Sequence, residues 1–135
     1  MKYLFLFTLL SFHFFVSKSQ SHYSDKNVEG YILNALLFKS KDYMNPNIKD
    51  IQCFESVLKT KTVSFYSDFY RQYSTKLIKG RKSLVVDMFK KTYFQNVSEL
   101  KKPFVILDGC EDVRHIIFDI VTDKIVYDEN GGGCN

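Results

Sequence analysis

The sequence predicts an α+β domain in which N-terminal helices, two of them paired as a helical hairpin, precede a small antiparallel β-meander. Three observations carry that expectation. Apolar residues recur at helical spacing through the middle of the chain, the period changes to alternation after Pro103, and no repeat or linker divides the sequence.

The first nineteen residues stand apart from the domain. Met1 and Lys2 give a positive start, Tyr3 to Val16 is an apolar run, and Ser17, Lys18 and Ser19 follow as a small, polar segment. That order is what a secretory signal peptide requires, with cleavage expected after Ser19. At 14 residues the run spans about 21 Å as a helix, short of the roughly 30 Å hydrocarbon core of a bilayer. The reading is residues 1–19 as signal peptide and 20–135 as one exported domain. It is secreted or periplasmic, with no membrane span in the mature form.

Each element of the domain has its own signal. Ser24 or Asp25 is placed to cap a first helix carrying Val28, Ile32, Ala35 and Leu36, with Tyr31 and Phe38 widening the stripe; Asn45-Pro46-Asn47 closes it. Ile48, Ile51, Phe54 (or Glu55) and Leu58 predict a second, shorter helix. From about Val63 to Lys79 the apolar and aromatic side chains fall on one helical face. Asp68, Arg71, Gln72, Thr75 and Lys79 fall opposite, and Gly80 follows as a stop signal. Leu84, Val85, Met88, Phe89 and Thr92 outline the next helix, completing the hairpin. Phe104 to Leu107 reads as a short strand. Ile116, Phe118 and Ile120, then Ile125 to Tyr127 across Thr122-Asp123-Lys124, read as a β-hairpin.

Composition bounds the function. The formal charge of +4 becomes +2 when Lys2 and Lys18 leave with the signal. Residues 59–102 carry +8 and residues 103–135 carry −5, a separation that mutual attraction between the two halves accounts for. The sharper reading of the basic stretch is a surface formed by Lys76, Lys79, Arg81 and Lys82 for an anionic partner. Sixteen Lys stand against three Arg, which weighs against nucleic acid, where the planar Arg fork is favoured.

Three cysteines in an exported chain leave one unpaired. A hairpin turning between Thr122 and Asp123 sets Cys110 within one residue of register with Cys134, so a Cys110–Cys134 bridge is expected and Cys53 becomes a small core residue. Only His22 and His115 survive maturation, too far apart in sequence for a short-spaced metal pair. Asp128 to Gly133 imitates the start of an EF-hand loop, but its twelfth position falls beyond residue 135. An irregular calcium site would draw on 108–112 and 128–130. Gly80-Arg81-Lys82-Ser83 lacks the first glycine of a phosphate loop, and Asn96-Val97-Ser98 is a glycosylation sequon.

The leading expectation is therefore a small exported protein without catalysis or cofactor, which binds a protein or another extracytoplasmic target. The alternative is a small secreted hydrolase using His115 and the acidic loop 108–112. No catalytic, cofactor-binding or metal-ligating residue is assigned.

Overall fold

The computed structural model describes residues 21–61, 66–106 and 109–131, so the signal segment and Cys134 lie outside the described residues. Among the described residues there are one α-helix and seven strands, and the strands form a single mixed sheet. In chain order they are β1 (Ser21–Asp25), β2 (Val28–Ile32), β3 (Tyr43–Met44), α1 (Ile48–Lys61), β4 (Phe69–Ile78), β5 (Arg81–Lys90), β6 (Val113–Asp119) and β7 (Lys124–Asn130). The order across the sheet is β1-β2-β4-β5-β6-β7, with β3 pairing beside β2 along the far half of β4. Only β2 and β4 run parallel, since α1 makes the crossover between them.

This corrects the expected architecture. The described residues are mostly β with one α-helix, and among them neither the expected first helix after Ser24 nor the helical hairpin is present. The stretch after Ser24 folds as the β1–β2 hairpin, and the expected helical pair is the β4–β5 hairpin. The cause lies in what covers the sheet. On one face Phe69, Tyr73, Leu84, Val86, Met88, Ile116 and Phe118 pack against Ile51, Phe54 and Leu58 of α1. On the other face Tyr31, Phe89 and Val113 pack under a segment that brings Leu100, Phe94 and Phe104. A strand buried on both faces loses the apolar–polar alternation that marks a half-buried one. In β4 even Arg71, Gln72 and Thr75 are buried. The aromatic and β-branched residues of 69–78 and 81–90 suit a pleated surface, and that preference governs here.

Gly80 serves the hairpin too. Lys79 and Gly80 both take positive φ (50° and 76°), the backbone of a two-residue turn whose twist matches its strands. Phe104 to Ile106 is not a strand, and Leu107 lies outside the described residues. The second helix is present, although α1 extends to Lys61. A last hairpin forms, but not in the expected register: Ile120 lies in the turn, and the turn is not centred between Thr122 and Asp123. The chain turns through 120–123, with Asp119 opposite Lys124. A register shift between Ile117 and Phe118 leaves Val126 with no opposed residue, a bulge in β7.

Candidate functional site

The most polar part of the interior sits between α1 and the start of β4. Arg71, fully buried, reaches from β4 to Glu55 on α1, with its Nε 3.2 Å from Glu55 Oε1. Tyr73 donates to the same oxygen at 2.7 Å and Tyr66 donates to Oε2 at 2.5 Å. The other guanidinium nitrogens donate to the carbonyls of Phe69 and Tyr66, and the Tyr66 ring stacks 4.7 Å from the guanidinium carbon. Burial, then the neighbouring Glu55, pushes the hydroxyl pKa of Tyr73 well up. Tyr66 is raised by burial first and its bond to Glu55 second. Both phenols therefore stay protonated as donors.

An open cleft of about 320 Å³ lies over this network, walled by Asp25 to Val28 of the β1–β2 turn and by Gln52, Ser56 and Lys59 of α1. Its floor groups, Glu55 and Tyr66, are engaged with Arg71 and with each other. The arrangement ties the helix to the sheet. The expected helix put Arg71 on the solvent side; its partner, sixteen residues earlier, has no spacing signal in the sequence.

His115 lies on the opposite face of the sheet, directly across from Asp87 of β5. Its Nδ1 is 2.5 Å from Asp87 Oδ1, and the ring meets Tyr127 edge-on at 5.9 Å. The bond to Asp87 raises the His115 pKa against the opposing effect of burial, and Glu129 adds to the rise. The structure thus gives His115 a carboxylate from a neighbouring strand rather than from the acidic loop. In that loop, Asp112 accepts from Lys90 at 2.9 Å and from Tyr93 at 3.1 Å. Asp108 lies outside the described residues, and Asp128 is bound by Arg114. Among the described residues no three His, Cys, Asp or Glu side chains converge as a metal set.

The basic residues of 76–82 do gather around the β4–β5 turn, but most are already engaged. Arg81 Nη2 is 2.6 Å from Asp119, Lys82 is 3.7 Å from Asp50, and Lys76 lies 5.2 Å from the centre of the Tyr43 ring. Cys53 is free and partly buried. No disulfide joins two described residues, and the expected Cys110–Cys134 bridge falls on residue 134, outside them. Exposed Asn96 caps the turn Val97–Lys101, its side chain accepting from the Ser98 amide.

The remaining feature is a strand edge. β7 is the last strand of the sheet among the described residues and is exposed along almost its whole length. Val126 and Tyr127 are 59 % and 42 % exposed, and Val121 in the preceding turn is 74 % exposed. The Gly131 amide donates to Val113 O at 2.7 Å, so residue 131 faces inward. Successive residues of a strand turn their backbone groups to opposite edges. Glu129 therefore faces β6, while the N–H and C=O groups of Asp128 and Asn130 face outward. Beside Asn130, a second cleft of about 300 Å³ opens between the starts of β4 and β6, with Phe69, Asp68 and Glu111 in its wall.

Comparison of the chain with protein-family models, with curated proteins and with solved structures gave no match. Among the described residues no helix is long and apolar enough to cross a membrane.

Proposed function

We propose that this chain is an exported, non-catalytic binding protein that takes up an extended segment of a protein target along the outer edge of β7. The observation that carries the reading is the outward-facing backbone of Asp128 and Asn130 on an exposed terminal strand. Unpaired strand edges are templates for another chain, and proteins ordinarily shorten or cover them. Here the edge strand is seven residues long, carries exposed Val126 and Tyr127, and follows a turn with exposed Val121. The bulge at Val126 interrupts regular pairing in the middle of the strand, which confines the usable edge to its Asp128–Asn130 end.

The test is affinity capture with mature protein from its native extracytoplasmic fraction. Asn130→Pro removes one outward amide without breaking a bond to β6, because proline is tolerated on edge strands. The variant should keep its circular dichroism and unfolding midpoint yet lose the captured partner. Full retention of the partner would refute pairing at β7. The hydrolase alternative, which has the His115–Asp87 contact in its favour, requires turnover that falls about a hundredfold in His115→Ala.

A further inference from the structure

We infer that the segment received by β7 is basic, and that one of its Lys or Arg side chains enters the cleft beside Asn130. The inference rests on the strand-addition reading above and adds the chemistry of the partner. Strand addition draws affinity from the backbone and specificity from pockets that take side chains.

The cleft contains both signs of charge, but its cations are spent. Lys90 lies 2.9 Å from Asp112, and Arg114 lies 2.5 Å from Asp128. Asp68 and Glu111 in the wall make no ion pair among the described residues. With three carboxylates (Asp68, Glu111, Asp112) against Lys90 and Arg114, the cleft offers an incoming side chain a net negative lining. Phe69, a core residue only 5 % exposed, borders the same wall with a ring edge, beside which the methylene stem of a lysine or arginine can lie while its charged end reaches the carboxylates. Asn130 borders both the cleft and the outward edge, so a backbone paired there has its side chains beside the opening.

The same charges argue against a second copy as occupant. An antiparallel copy pairing Asp128 with Asn130 sets Glu129 against Glu129, and one centred on Asp128 sets carboxylate against carboxylate. Like charges directly opposed across strands are destabilising.

The experiment uses mature protein and two fluorescein-labelled peptides, Thr-Val-Lys-Val-Lys-Val-Thr and its counterpart with Glu for Lys, read by anisotropy. The lysine peptide should bind at least tenfold tighter than the glutamate peptide. Glu111→Lys should abolish or reverse that preference, and Asp68→Asn, which disturbs less, should narrow it. Asn130→Pro should weaken both peptides. Weakening by Asn130→Pro with no preference for lysine in the wild type overturns the basic partner and leaves strand addition standing. No effect of Asn130→Pro on either peptide overturns strand addition, and this inference with it.

Discussion

Arg71 and Glu55 face one another across the helix–sheet interface at 3.2 Å, with the Arg71 side chain wholly removed from solvent and the Glu55 side chain only 5 % exposed. Removing one member leaves the other charged and without its counterion. Breaking such a pair costs about 3–5 kcal/mol, whereas replacing both members by apolar residues is often neutral. Glu55→Gln should accordingly lower stability by about 3–5 kcal/mol in urea denaturation. Glu55→Leu combined with Arg71→Met should recover part of that loss. A cost below about 1 kcal/mol for Glu55→Gln, the range of an exposed pair, would mean that the charges are solvated.

Gly30 stands beside Arg71 in the parallel β2–β4 ladder, and a Cβ at Gly30 would lie 2.2 Å from the Arg71 carbonyl oxygen. That neighbour is backbone and cannot rotate away. Gly30→Ala should destabilise by about 1–3 kcal/mol or more and speed amide exchange in β2. Gly80→Ala meets nothing within 4 Å and suffers only from its φ of +76°, costing about 1 kcal/mol. Equal effects of the two substitutions would contradict the close approach at Gly30.

Gln72 pins the covering segment to the sheet. Its Nε2 donates to Leu100 O at 2.8 Å and to Lys102 O at 2.5 Å, and its Oε1 accepts from the Phe104 amide at 3.1 Å. Gln72→Leu keeps the volume but strands three backbone groups, each worth about 1–3 kcal/mol if it stays dry. The expected result is a loss of about 2–4 kcal/mol, with selective loss of hydrogen-exchange protection at Phe104. Protection unchanged at Phe104 would show that the segment is held by its aromatic contacts alone.

His115 makes stability depend on pH in a stated direction. Its folded pKa lies above the ordinary 6.5, chiefly through Asp87. The folded state therefore holds the proton more tightly than the unfolded chain. The contribution is fully present below the unfolded pKa and is lost as pH rises through the folded one. Thermal unfolding midpoints should be higher at about pH 6 than at about pH 8, and His115→Gln should remove most of that difference. An NMR titration placing the His115 pKa at or below that of an unfolded peptide would refute the pairing.

Local pattern was sufficient for α1 and for the β6–β7 hairpin. Ile51, Phe54 and Leu58 repeat at helical spacing because only one face of α1 meets the sheet. The outer β-hairpin is legible because its connection is short and its strands carry β-branched residues, although its register is not, since the turn takes in apolar Ile120 and Val121. Tertiary structure alone decided β2, β4 and β5. Their residues are covered on both sides, so the period of two that marks a strand is overwritten by burial of Arg71, Gln72 and Thr75. It also decided the polar partnerships. Glu55 meets Arg71, and Asp87 meets His115, only because the sheet brings distant segments into register, and no spacing along a chain encodes a contact made across strands.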